Sequence, residues 1–403
     1  MRSLLRLQPE AEITLEANPG TFEIEKFQGF KDAGITRLSI GVQSFNDDML
    51  SRLGRVHNGK EALTAIDTAL KLFDKVNIDL MYSLPNQTVQ TALDDVQTAI
   101  ATDATHISAY HLTMEPNTPF GHTPPKGLPQ DEAALDIEDA VHGTLEGAGF
   151  IHYETSAFAK PTMQCRHNLN YWQFGDYLGI GAGAHGKISY PDRIERTVRR
   201  RHPNDYLALM QNRPSEAVER KTVAAEDLPF EFMMNALRLT DGVPAAMLQE
   251  RTGVPAAKIM VQIETARQKG LLETDPTVFR PTEKGRLFLN DLLQCFYKRK
   301  QIGGRPGKTR PERGRQICLS MGNAAASPAG RFRRHSRRRK CPTPKVTPHT
   351  KTVRLRLQQS DKCRRPAFAV FSKPFASFTH PPRDAAAYLE ALKILRCKKK
   401  ISV

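Results

Sequence analysis

The 403-residue chain has few cysteines, a single tryptophan and no long apolar run. Its six cysteines are scattered without close pairs, which excludes a disulfide framework and predicts a reducing, cytoplasmic compartment. The first ten residues carry too few apolar side chains before Pro9 to form the core of a secretory signal. No stretch approaches the ~18 apolar residues that a membrane-spanning helix needs.

Acidic residues are scarce in one part of the chain only. Beyond residue 300 there are 26 Lys and Arg but 4 Asp and Glu, whereas residues 1–300 hold 33 basic and 39 acidic residues. The formal charge of +16 therefore comes from the tail, and the body has a net charge of −6. The tail, residues 299–403, is rich in Pro and Arg without a sustained apolar period, which predicts disorder. Its basic run at 331–340 suits non-specific binding of polyanions.

The first 190 residues alternate between short β-like runs and helical stretches, which predicts an α/β fold around a parallel sheet. The predicted strands are 13–16, 37–42, 76–80, 106–110 and 151–154. The predicted helices are 21–33, 60–73, 88–101 and 131–147. In helix 60–73 the apolar residues recur at the spacing of one buried face: Ala62, Ile66, Ala69 and Leu70.

Polar residues stand where three of these strands end, namely Glu16, Gln43 and Asp79. In parallel α/β barrels the carboxyl ends of the strands carry the chemistry, so these residues are candidates for a site. The alternative is that each residue closes its strand or caps the next helix.

Four segments are predicted along the chain: a barrel and its extension at 1–190, a linker or helical connection at 191–224, a winged-helix-like domain at 225–298, and the tail at 299–403. Helix 255–269 of the third segment is a candidate DNA-recognition helix. It offers Lys258, Arg267 and Lys269 but also carries Glu264, and the acidic body argues against a nucleic-acid partner. A packing or lid domain is the alternative.

Three stretches occur in a characteristic order: EITLEANPG at 12–20, RLSIGVQSF at 37–45 with LGRVH at 53–57, and NIDLMYSLP at 77–85. They resemble the radical S-adenosylmethionine (SAM) enzymes related to oxygen-independent coproporphyrinogen III oxidase. Two later stretches, CRHNLNYW at 165–172 and YLGIGAGAHG at 177–186, are similar to the heme-chaperone branch of that family.

The resemblance covers about residues 8–297 and implies a partial radical-SAM (βα) barrel followed by a small winged-helix-like domain. It also implies binding of heme and SAM, and delivery of heme to apo-proteins. The alternative within the family is oxidative decarboxylation of coproporphyrinogen III. An alternative of another class is a basic nucleic-acid-binding protein.

The resemblance also implies site residues. The SAM-binding positions fall on Glu16, Gln43, Arg55 and Asp79, and with a weaker match on Thr113. Carboxylates suit the ribose hydroxyls and the ammonium of SAM, and an Arg fork suits its carboxylate. For Arg55 the alternative is a surface ion pair with Asp47 or Asp48.

Heme needs a neutral imidazole or a thiolate as its axial ligand. The candidates are His167, His185 and Cys165, with Cys341 as a weaker one in the tail. For His167 the alternative is a histidine that is held by hydrogen bonds beside Tyr171 and Trp172.

One departure from the family pattern concerns the [4Fe–4S] cluster. The family holds it on a Cys-x3-Cys-x2-Cys loop, and this sequence has no such spacing, since its first cysteine is Cys165. We therefore expect an N-terminally truncated barrel without radical chemistry or coproporphyrinogen oxidase activity, and with an exposed sheet edge. The tail looks like out-of-frame translation.

Overall fold

The computed structural model describes residues 7–19, 24–114 and 118–297, together with residues 369 and 370. All of these residues belong to one compact unit. The tail, for which disorder is predicted, lies outside the described residues except for residues 369 and 370. The described strands are β1 (Thr14–Ala17), β2 (Arg37–Gln43), β3 (Val76–Tyr82), β4 (His106–His111), β5 (Ile151–Glu154), β6 (Ala157–Ala159), β7 (His185–Ser189), β8 (Ile194–Arg199), β9 (Val218–Thr222), β10 (Val243–Pro244), β11 (Val278–Phe279) and β12 (Ala369–Val370).

The main sheet has the strand order β12-β1-β2-β3-β4-β6-β5. Strands β1 to β4 are parallel neighbours, as the alternation of strands and helices predicts. Strand β6 runs antiparallel to both β4 and β5, and its three residues are too few for a period to show in the sequence. The outer edge of β1, expected to be exposed, pairs with β12 at Thr14 and Leu15.

Helices connect the parallel strands and cover one face of the sheet. Helix α3 begins with a capping box between Asn58 and Glu61, and helix α4 begins with one between Thr88 and Thr91. Of the stripe predicted for α3, Ala62, Ile66 and Ala69 are fully buried and Leu70 packs against the same core. The described α-helices are α1 (Ile24–Asp32), α2 (Asp47–Arg52), α3 (Gly59–Leu72), α4 (Val89–Ile100), α5 (Pro119–His122), α6 (Asp131–Gly147), α7 (Arg166–Trp172), α8 (Pro203–Asn212), α9 (Leu228–Ala236), α10 (Ala246–Thr252), α11 (Met260–Gln268), α12 (Glu283–Leu287) and α13 (Leu289–Phe296).

The two faces of the sheet differ in polarity. Because side chains alternate along a strand, Leu38, Ile40, Val76, Ile78 and Ile107 all point to the helices and are completely buried. The residues between them are polar and point to the opposite, concave face. The apolar face accounts for the core, and the polar face is available for a site.

Residues 191–224, expected as a linker or helical connection, contain strands β8 and β9 besides helix α8. These strands pair with β7 in a three-stranded antiparallel sheet, so the boundary predicted at residue 190 falls between two paired strands. No alternating apolar pattern marks β8 in the sequence, because this strand is rich in charge and only Ile194 and Thr197 of it are buried.

A second hydrophobic core lies among helices α7, α9, α10, α11 and α13. The predicted helix 255–269 begins as a 3-10 turn and continues as α11. Of its cations, Arg267 donates to the carbonyl oxygens of Glu273 and Asp275, at 3.1 and 3.0 Å. One of the candidate DNA-binding side chains, Arg267, is therefore engaged in hydrogen bonds within its own domain. In the described part of the chain, no helix is both long enough and apolar enough to cross a membrane.

Candidate functional site

A polar cavity of ≈ 250 Å³ lies on the concave face of the main sheet. Its floor comes from alternate residues of the four parallel strands, and the first turn of α7 forms a wall. Five residues that the sequence predicts as candidates line it together, namely Glu16, Gln43, Asp79, Cys165 and His167. The other lining residues are Thr14, Arg37, Ser39, Asn77, His106, Ser108, Tyr110 and Asn168.

Asp79 lies at the centre of the polar face on β3. Its Oδ2 accepts a hydrogen bond from Ser39 Oγ at 3.0 Å, and its Oδ1 accepts one from Asn77 Nδ2 at 2.8 Å. Burial raises the pKa of Asp79 to about 6, with a smaller contribution from the charge of Glu16, although the donated hydrogen bonds oppose the shift. The carboxylate keeps lone pairs that can accept ligand hydroxyls.

Replacing Asp79 by Asn is expected to stabilise the chain at pH 7.5. The folded state holds the Asp79 proton up to about pH 6, whereas an unfolded carboxyl loses it near pH 4, so stability falls as the pH rises between these values. Two pKa units correspond to ~3 kcal/mol, and partial exposure to solvent reduces the expected gain to about 1–2 kcal/mol.

The measurement for Asp79→Asn is urea unfolding at several pH values. The exposed Asp67→Asn variant is the control and should leave the profile unchanged. If Asp79→Asn unfolds at a lower urea concentration than the wild type at pH 7.5, the ionised Asp79 carboxylate does not destabilise the folded state and the prediction is wrong.

Gln43 ends β2 in a conformation that side chains rarely adopt, with φ at 72°. The loop after it is held from behind by Asp95 of α4, which accepts bonds from Ser44 Oγ and the Phe45 N–H, both at 2.7 Å. Burial raises the pKa of Asp95 to about 6. Asp95 was not predicted as a site residue, although an acid on the buried stripe of α4, beside Ala92 and Val96, was a signal for it.

Arg55 approaches the same end of the sheet. Its guanidinium donates to Asn18 Oδ1 at 3.4 Å; burial lowers its pKa, and the nearby Asp79 charge opposes that shift. Among the described residues Arg55 forms no ion pair with Asp47 or Asp48, and Asp47 Oδ1 accepts the Gly59 N–H. Thr113 is exposed beyond the end of β4 and does not line the cavity.

His167 lies on α7 with its ring edge against Tyr171, the two ring centroids being 4.6 Å apart. Burial lowers its pKa, and the charge of Glu12 only partly opposes this shift, so the imidazole is neutral at pH 7. Cys165 is buried and its pKa is raised to about 11, mainly by burial, so it stays a thiol. His185 begins β7 outside the cavity lining, and Cys341 lies outside the described residues.

Arg37 connects the sheet to the segment that leads into α7. Its guanidinium donates to the carbonyl oxygens of Met163 and Gln164, at 2.8 and 3.2 Å, and its Nε lies 3.3 Å from Glu12 Oε2. Glu12 also accepts the Arg166 N–H at 2.8 Å. This buried ion pair fixes the wall of the cavity against its floor.

The described residues do not fit a [4Fe–4S] cluster. The two cysteines among them, Cys165 and Cys295, are free thiols. Within the same ranges, no group of three or more His, Cys, Asp or Glu side chains is arranged to hold a metal.

Comparison with known proteins identifies the family. The Radical SAM superfamily profile matches residues 1–99, and the HemN C-terminal domain profile matches residues 223–288. The heme chaperone HemW of Haemophilus influenzae is 48% identical over 301 residues, which cover 73% of this chain and 76% of that protein. HemW of Escherichia coli is 47% identical over 298 residues, which cover 73% and 77%.

A solved structure agrees on the fold. Coproporphyrinogen III oxidase (HemN) from Escherichia coli superposes with a TM-score of 0.61 at 20% identity, over 72% of this chain and 70% of that one. At this identity the likeness concerns the radical-SAM fold alone. The identities with the two HemW proteins carry the closer assignment, and the chain belongs to the HemW family of the radical SAM superfamily.

Proposed function

We propose that this chain binds heme and SAM and delivers heme to apo-proteins. The observation that carries the proposal is the 48% identity to a heme chaperone over three quarters of that protein's length. The cavity supports it, because three of the candidate SAM-binding residues, Glu16, Gln43 and Asp79, line one space together with a neutral imidazole. The partners would be heme and heme-accepting apo-proteins in a reducing cytoplasm.

SAM matches the donors and acceptors near the carboxyl ends of β1 and β2 and on the polar face of β3. Asp79 can accept hydrogen bonds from ribose hydroxyls, and the exposed carboxylate of Glu16 can pair with the ammonium group. Gln43 offers an amide, and Arg55 offers a guanidinium for the carboxylate. Thr113 remains a weaker candidate, since it lies outside this lining.

Heme is the cargo in this proposal, and His167 is the side chain that would hold its iron. Axial ligation requires an unprotonated imidazole nitrogen, which the lowered pKa of His167 provides at neutral pH. The ring also lies beside Tyr171, which in turn contacts Tyr177 at a centroid distance of 4.4 Å. These rings offer an aromatic surface to a flat macrocycle.

No radical step is assigned to the residues of this sequence. In the family a [4Fe–4S] cluster supplies the electron that cleaves SAM, and the cysteines here do not provide its ligand spacing. We therefore propose that SAM acts on this chain as a bound ligand. Oxidation of coproporphyrinogen III is not expected from it.

A binding and turnover experiment tests the proposal. Equilibrium dialysis of the full chain against hemin and against SAM is expected to show binding of both, and anaerobic incubation with coproporphyrinogen III is expected to leave it unchanged. Decarboxylated product would favour the oxidase alternative. Salt-sensitive DNA binding that survives removal of residues 301–403 would favour a nucleic-acid-binding protein, whereas loss on removal assigns the contact to the tail.

A further inference from the structure

A continuous chain of hydrogen bonds joins Asp79 to the first turn of α7. Asn77 Nδ2 donates to Asp79 Oδ1 at 2.8 Å, and Asn77 Oδ1 lies 2.6 Å from His106 Nδ1. His106 Nε2 lies 2.8 Å from the Tyr153 hydroxyl. That hydroxyl accepts the Cys165 N–H and Asn168 Nδ2–H, both at 3.3 Å. This series of hydrogen bonds therefore runs from β3 through β4 and β5 to the helix that carries His167.

The charge at Asp79 determines which group donates and which accepts in each of these hydrogen bonds. An ionised carboxylate requires the Asn77 NH₂ to point at it, so the Asn77 oxygen faces His106. His106 must then carry its proton on Nδ1. Burial, followed by the charge of Arg37, lowers the pKa of His106 to about 3, so the ring is neutral and Nε2 is an acceptor. Tyr153 therefore donates to Nε2, which leaves its oxygen lone pairs for α7.

The Tyr153 hydroxyl does for α7 what the N3 side chain of a capping box does for other helices, because it accepts the N–H of the N-cap residue. Cys165, at the N-cap position, makes no side-chain capping bond. Its own N–H is instead donated to the Tyr153 oxygen, and the Asn168 side chain is held by the same atom. Because His167 lies between these two residues, its position depends on this hydroxyl.

We propose that His106 and Tyr153 are positioning residues that couple ligand binding at Asp79 to the order of α7. This series of hydrogen bonds has a second possible arrangement. In it the Asn77 amide is flipped, His106 carries its proton on Nε2, and the Tyr153 oxygen accepts that proton's hydrogen bond. The Tyr153 oxygen can then hold only part of its contacts to α7. A ligand that donates hydroxyls to Asp79 needs the ionised carboxylate and so favours the first arrangement. This inference rests on the proposed SAM site.

Hydrogen exchange followed by mass spectrometry tests the coupling on the full chain, with SAM as the probe. Without SAM, Tyr153→Phe is expected to raise the exchange rate at residues 165–168 about tenfold, because the N–H of Cys165 loses its acceptor. With SAM, exchange there is expected to slow about fivefold in the wild type and to stay unchanged in Tyr153→Phe.

Tyr82→Phe is the matched control. It removes a buried tyrosine hydroxyl that lies beside Glu138 and has no part in this hydrogen-bond network. Both effects should therefore match the wild type in this variant. SAM-dependent slowing that persists in Tyr153→Phe would overturn the coupling, and wild-type exchange at residues 165–168 in that variant would overturn the positioning role.

Failure of the SAM site gives a different pattern. If SAM slows no exchange around Gln43 and Arg55 in the wild type, both the proposed SAM site and the coupling are wrong, and the SAM-free comparison still decides the positioning role. Should Tyr153→Phe not fold, ¹⁵N NMR of the wild-type His106 ring decides instead. A proton on Nδ1 supports the proposed arrangement of hydrogen bonds, and a proton on Nε2 overturns it.

Discussion

Arg37→Met is expected to lower the free energy of unfolding by about 3–5 kcal/mol. Arg37 and its partner Glu12 are both almost completely buried. Removing the guanidinium leaves the Glu12 carboxylate in the interior with Lys75 as its remaining cation, at 3.1 Å. It also leaves the carbonyl oxygens of Met163 and Gln164 without the donor that holds them.

Two control variants separate this cost from a general loss of packing. Lys75 is partly exposed, so Lys75→Met is expected to cost about 1 kcal/mol or less. Glu12→Gln combined with Arg37→Met is expected to recover part of the loss, because no charge is then left buried. Urea unfolding gives the three values, and equal losses for Arg37→Met and Lys75→Met would contradict the account.

His167→Ala is expected to weaken hemin binding by at least about a hundredfold, since the variant lacks the proposed axial ligand. The Soret band of bound heme is expected to shift or disappear on titration. The change should be local, because the His167 ring packs edge-on against Tyr171 and is only partly buried. The thermal midpoint of the apo-protein is therefore expected to stay close to that of the wild type.

Two further histidine variants serve as comparisons for His167→Ala. His202→Ala removes an exposed imidazole and is expected to bind hemin as the wild type does. His185→Ala tests the other candidate ligand on β7. Retained binding in His167→Ala together with loss in His185→Ala would move the ligand assignment to His185.

The main sheet was largely predictable from the sequence. The alternation of short runs and helical stretches placed β1 to β4 to within two residues, and the spacing in α3 identified its buried face. Gln43 was found because polar residues that follow buried runs lie at one edge of a parallel sheet. Asp79 was found by the same reasoning, but β3 continues to Tyr82, so Asp79 lies in the middle of its strand on the polar face and not at the strand end. Strands β8 and β9 were missed because charged side chains conceal their alternation.

The interior network was not predicted, although part of its signal was present. Asn77 and Asp79 on β3, and His106 and Ser108 on β4, alternate with apolar residues and so mark a polar face. The sequence could not show that Tyr153 and Asn168 complete this network, because they lie 47 and 62 positions beyond His106. They meet it only because β5 joins the sheet through the antiparallel strand β6 and because α7 packs beside them. Contacts of that range depend on packing and not on local pattern.

Transfer of heme tests the central claim most directly. The full chain is loaded with one equivalent of hemin, freed of excess, and mixed with the apo-form of a heme protein whose absorbance differs from that of the loaded chain. The account predicts that the acceptor spectrum appears faster than from free hemin and that His167→Ala does not support this transfer. Heme that stays on the chain, or an acceptor that fills no faster than from free hemin, would contradict it.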